Sequence, residues 1–170
     1  TGSRGINGMD LACQQLIAQR MSFTDGQAYL SSWKAVLSTE QVGVIERFPD
    51  WDYRYGHRKV YNLKGELLAD SVADLWIGKL FRPVNIDETL AMMTSSSPVW
   101  TASRYGGKPA YRESISGACN AWTHTGAAYT KVVTGAPLRK DMGWLDGSYP
   151  ANGTGDLGGS PTTDCSKTAR

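Results

Sequence analysis

Long apolar runs are missing from this 170-residue chain, and none approaches the roughly 20 residues a membrane-spanning helix needs. Charge of one sign is also missing. The formal net charge is +2, too weak a field to argue for nucleic acid on its own. Histidine is scarce, with only His57 and His124, and neither has a nucleophile at motif spacing. No G-x-S-x-G, H-E-x-x-H, phosphate-binding Walker loop or C-x-x-C occurs. A Cys119–His124 nucleophilic pair is the one catalytic arrangement the order of residues leaves open. Cysteine is sparse and odd in number, at three. In an exported protein that implies a free thiol or a partner elsewhere; the alternative is three reduced thiols in a cytosolic one. No secretory leader is visible, so any targeting segment is expected outside this stretch.

Aromatics and glycine are plentiful instead: six Trp, eight Tyr and 19 Gly, with 41% hydrophobic residues. That composition supports one packed core in one domain, residues 1–170, built largely from short strands, turns and loops. Met9, Ala12, Cys13, Leu16, Ile17 and Arg20 recur at helical spacing and predict a helix with one apolar face. Asp10 is expected in its first turn, where a negative charge suits the helix dipole. Tyr29, Leu30, Trp33, Val36 and Leu37 fit a short helix or a strand edge. Val60 to Leu68 reads as strand around a Lys64-Gly65 turn. Asp70 or Ser71 can cap a second helix over Val72, Leu75, Trp76 and Leu80, ending by about Phe81 because Pro83 follows. Beyond residue 94 the chain reads as strands and loops, punctuated by Gly106-Gly107, Asp146-Gly147, Asn152-Gly153 and Gly158-Gly159.

Several stretches, in order, resemble one family. Arg4-Gly5-Ile6-Asn7-Gly8-Met9-Asp10-Leu11-Ala12-Cys13-Gln14-Gln15 opens the series. Ala28-Tyr29-Leu30-Ser31-Ser32-Trp33, Val60-Tyr61-Asn62-Leu63-Lys64-Gly65-Glu66-Leu67-Leu68, Val99-Trp100-Thr101 and Cys119-Asn120-Ala121-Trp122 follow. Leu157-Gly158-Gly159-Ser160 and Thr163-Asp164-Cys165 close it. Together they are similar to the endostatin domain, the C-terminal module of collagens XV and XVIII. The stretch from Ser71 to Glu88 looks more like bacterial endostatin-like surface proteins and adhesins. The resemblance implies an α+β fold, the endostatin-like variant of the C-type lectin-like fold, with two helices, antiparallel strands and long loops. It also implies a Cys119–Cys165 disulfide closing a loop of about 45 residues, worth roughly 3–4 kcal/mol in the chain-entropy model. Cys13 would then be buried and either unpaired or bonded to a partner on a terminal strand beyond Arg170. A first strand, before Thr1, is likewise expected outside this stretch.

The family binds rather than catalyses, so the resemblance implies a non-enzymatic recognition domain outside the cytoplasm or at the cell surface. Its partner would be a cell-surface glycan or an extracellular protein, with no cofactor, no nucleic acid and no membrane insertion. Any trimer would form through flanking sequence. A collagen-type matrix module and a hydrolase with an unrecognised site are the alternatives. The family's zinc site needs N-terminal histidines, and none precedes His57, so it is not carried over. Heparin binding is not carried over either, for want of matching arginines. The Glu-Pro-Asn and Trp-Asn-Asp motifs of calcium-dependent lectins are absent. Asp141, Asp146, Asp156 and Asp164 are scattered oxygen donors that read more simply as solvated loop charges.

The foremost candidate surface is Asp50 to Lys59, where Trp51, Tyr53 and Tyr55 alternate with charged residues. Aromatic faces stack on sugars or cover peptide, and Arg54 and Arg58 offer forked donors, with His57 beside them. The competing reading is a half-buried strand, whose alternation looks the same. A second candidate is the loop from Trp144 to Asn152, with Asp146, Tyr149 and Asn152 as its ligand-facing residues and Trp144 itself read as a core plug. Asn152-Gly153-Thr154 is also a glycosylation sequon. Arg47, Arg54, Arg58, Lys59 and Lys64 can form a basic patch, but Glu46, Asp50 and Asp52 dilute it, so a solvated face is the simpler reading.

Overall fold

The computed structural model describes residues 5–20, 32–48, 56–95, 97–110, 118–123, 131–147 and 162–164. It is a mixed α+β structure with small antiparallel sheets and long connections. The first helix, α1, runs Gly5–Arg20. Its apolar spacing does orient it: Ile17 is buried, and Ile6 and Met9 pack against one of two core clusters. Leu16, counted on the apolar face in the sequence, is 45% exposed, so the buried stripe is narrower than its pattern.

Asp10 does not serve the helix dipole. The helix begins at Gly5, which puts Asp10 beyond the first turn. Its carboxylate instead accepts two hydrogen bonds from Arg47 Nη2, at 2.5 and 2.6 Å, and one from Ala35 N at 2.8 Å. Arg47 Nη1 donates in turn to Ala35 O and Leu37 O, at 2.7 and 2.8 Å. The solvated-face reading of Arg47 is therefore corrected, and with it any part in a basic patch: its side chain is 9% exposed and ties α1 to the segment before Val44. That pairing also explains why residues 32–37 form neither helix nor strand. Their backbone polar groups are satisfied by side chains, with Gln14 Nε2 donating to Trp33 O at 3.0 Å.

Strands β1 (Val60–Tyr61) and β2 (Leu67–Ala69) form an antiparallel hairpin. Asn62 builds its turn by accepting from Lys64 N and Glu66 N through Oδ1, both at 3.0 Å. A short 3-10 turn, Ile45–Arg47, precedes it. Helix α2 is Val72–Trp76, capped by Ser71, whose Oγ accepts from Asp74 N and donates to the Asp74 carboxylate. It stops well short of Phe81. Gly78, at φ +71°, ends it: Gly78 N donates to Leu75 O and Lys79 N to Asp74 O, a Schellman motif. Glycine is required there twice over, since a Cβ would stand 2.1 Å from Met142 N.

The second sheet has the order β3-β4-β5, with β3 at Val99–Trp100, β4 at Lys131–Gly135 and β5 at Thr162–Asp164, all antiparallel. One core lies under α2 and the hairpin, where Phe48, Val72, Leu75, Trp76, Trp144 and Leu145 meet. Trp144 stacks on Trp76 at 6.1 Å, and its Nε1 donates to Leu75 O at 3.1 Å, so it does plug the core. The other core joins α1 to the second sheet through Leu37, Ala102, Cys119, Trp122 and Val132. Thr101 Oγ1, buried between the clusters, donates to Leu145 O at 2.6 Å.

Cys119–Trp122 make one helical turn of unusual hand, with φ of +51°, +53°, +50° and +66°. Each left-handed non-glycine residue costs about 1–2 kcal/mol. Compensation comes from outside the turn. Both Glu40 carboxylate oxygens accept from Ala121 N, and the buried Trp122 donates from Nε1 to Ser38 O at 2.7 Å.

Candidate functional site

The walls of an open cleft of about 440 Å³ are Asp70, Asp74, Gly78, Lys79, Leu80, Phe81 and Lys140. It exists because α2 ends early. The Schellman turn releases the chain at Lys79, and two backbone hydrogen bonds then hold the next residues rigid: Leu80 N to Lys140 O at 3.1 Å and Phe81 N to Leu68 O at 2.9 Å. Phe81 extends from the edge of β2 with 54% of its surface exposed. Singly exposed apolar side chains are ordinary; Phe81 is singled out because it lines the cleft.

Charges of both signs line this cleft. Asp74 faces Lys79 at 3.6 Å, and Asp70 faces Lys59 at 4.0 Å. Both pairs are largely solvent-exposed and contribute little to stability. Lys140 is exposed and makes no ion pair among the described residues. Its neighbour Asp141 does: the carboxylate accepts from Arg139 Nη2 at 2.6 Å and from Gly143 N at 2.9 Å. Partial burial pushes the Asp141 pKa upward, but the Arg139 and Gly143 hydrogen bonds and the arginine charge outweigh it, so the carboxyl lies below its ordinary value.

The sequence candidates fall unevenly around this cleft. His57 and Arg58 are exposed, on a loop that meets the start of α2 where Ala73 N donates to Gly56 O at 3.4 Å. Lys59, next along, reaches Asp70 on the cleft wall. That end of the Asp50–Lys59 segment therefore adjoins the cleft. Trp51, Tyr53, Arg54, Tyr55, Tyr149, Asn152 and His124 lie outside the described residues. Asp146 is corrected. It is 3% exposed, its backbone N donates to Met142 O, and it offers no ligand-facing oxygen at the surface. The turn that seats Trp144 in the core draws Asp146 in with it.

Phe81 and Lys140 are additions the sequence did not reveal. They are 59 positions apart, and only the Leu80–Lys140 backbone bond brings them to one rim. A second, apolar cleft of about 320 Å³ runs beside β3, bounded by Leu37, Val84, Trp100, Pro137 and Trp144 among others.

Cys13 is a half-buried free thiol, its pKa raised by desolvation and then by the nearby Asp10 charge. Cys119 is 2% exposed, within the core that joins α1 to the second sheet. Cys165 lies outside the described residues. Among the described residues, no group of three or more His, Cys, Asp or Glu side chains converges, and no helix is long and apolar enough to cross a membrane. No protein-family model matches the chain, and no curated protein is significantly similar to it.

Proposed function

We propose that this chain is an extracellular or cell-surface recognition domain of the endostatin-like, C-type lectin-like kind, and that it acts by binding rather than catalysis. Its ligand is a glycan or an extracellular protein, as for an adhesin or a receptor-binding tip. One observation carries the reading: a solvent-open cleft of mixed charge, edged by the exposed Phe81, adjoins the loop carrying His57 and Arg58. An aromatic face beside carboxylates and ammonium groups is suited to polyhydroxylated or peptide ligands. Fold alone does not select between them.

A glycan and matrix-protein array tests the proposal. The wild-type chain is expected to retain a restricted set of ligands. The Tyr53→Ala/Tyr55→Ala double variant is expected to lose them with its melting temperature nearly unchanged. An array without specific retention would sink the reading. A double variant that unfolds would make those tyrosines core residues and remove them from the ligand surface.

The Cys119–Cys165 pairing belongs to the same proposal. Cys13 is a free thiol and Cys119 is buried, which supports the pairing. A non-reduced digest is expected to yield one cross-linked peptide containing both residues; recovery of Cys165 as a free thiol would reject the pairing.

A further inference from the structure

Building on the recognition reading above, we infer that the cleft between α2 and Lys140 binds a sugar bearing one carboxylate, with that carboxylate on Lys140 and the sugar ring against Phe81. Size is the first argument. A cleft of about 440 Å³ is on the scale of small-ligand sites, suited to a terminal monosaccharide rather than a length of chain. Its shape is preset by backbone. Gly78 abuts Met142, Leu80 bonds Lys140 and Phe81 bonds Leu68, so little backbone ordering of the wall is needed on binding.

Charge is the second argument. Of the four charged side chains in the wall, Asp70, Asp74 and Lys79 already have counter-ions: Lys59 for Asp70, and each other for Asp74 and Lys79. Lys140 has no ion-pair partner among the described residues. One cation with an unmet charge selects one anionic group. The paired carboxylates keep acceptor lone pairs for sugar hydroxyls. A densely sulfated chain would bring several negative charges where Lys140 is the one wall cation without an ion-pair partner among the described residues.

Phe81 supplies the third argument. Its backbone is fixed to β2 and more than half of its surface stays exposed at the cleft wall, where a ligand can cover it. Aromatic faces of this kind pack on the apolar C–H face of a pyranose.

The test uses the whole 170-residue chain. Saturation-transfer NMR and titration are run with glucuronate and N-acetylneuraminate, with glucose as the neutral control and heparin as the sulfated one. At least one of the acids is expected to bind, and glucose at least tenfold more weakly. Lys140→Met and Phe81→Leu are each expected to weaken the acid about tenfold without moving the melting temperature, while Lys140→Arg retains binding. Failure of both acids to bind overturns the assignment, as does equal binding of glucose. Heparin binding that survives Phe81→Leu, with neither acid binding, also overturns it. Array ligands lost on Tyr53→Ala/Tyr55→Ala yet indifferent to Lys140→Met would leave the recognition reading standing and this cleft assignment refuted.

Discussion

Arg47→Met is expected to destabilise the domain by about 3–5 kcal/mol, the range for removing one partner of a buried ion pair. The Asp10 side chain is only 17% exposed and would be left with no guanidinium beside it. Two carbonyls, Ala35 O and Leu37 O, would lose their donors as well. For a domain of this length the loss corresponds to roughly 6–20 °C in melting temperature. Urea denaturation of the single variant checks it. The Asp10→Leu/Arg47→Met double variant should recover part of the loss, because the stranded charge is gone. Recovery should be incomplete, since Ala35 N also donates to Asp10. A single-variant cost below about 1 kcal/mol would show the pair to be ordinary surface electrostatics.

Trp144→Ala is expected to cost a similar amount, about 3–5 kcal/mol, by a different mechanism. Trp144 is 6% exposed and stacked on Trp76, and it borders both Phe48's core cluster and the apolar cleft beside β3. Truncation leaves a cavity between α2 and the Met142–Trp144 turn. It also removes the donor to Leu75 O, a carbonyl of the last turn of α2. Trp144→Phe should lie between the two, keeping most of the stack without the Nε1 bond. Equilibrium unfolding monitored by circular dichroism separates the three proteins. Equal stability of Trp144→Phe and Trp144→Ala would mean that the hydrogen bond, and not the packing, holds this corner. The consequence for binding follows from position. Lys140 sits just before this turn, so a collapsed corner would also displace the cleft wall.

Local physics was legible in the residues themselves. The 3.6-residue recurrence from Met9 to Ile17 located α1, because helical side-chain direction is a property of the backbone alone. Lys64-Gly65 marked the hairpin turn, and Asp70 or Ser71 the start of α2, since a cap or turn needs only partners three or four positions away; that Asn62 builds the turn and Ser71 the cap came from the structure. Trp144 was readable as a core residue from its size and lack of charge.

Whatever depends on distant partners was decided by tertiary structure. Asp10 was assigned to a helix dipole, but it lies beyond the first turn and is claimed by Arg47, 37 positions on. Arg47 counted as a surface charge until the packing of α1 against residues 35–37 desolvated it. Gly78 ends α2 before Pro83 can, and the need for a bare Cα comes from Met142, far along the chain. Asp146 looked like a loop carboxylate and is carried inward by the turn that seats Trp144. The cleft has the same origin. No spacing in the sequence links Asp70, Phe81 and Lys140, because a binding surface is a coincidence of separate segments, and only folding makes them neighbours.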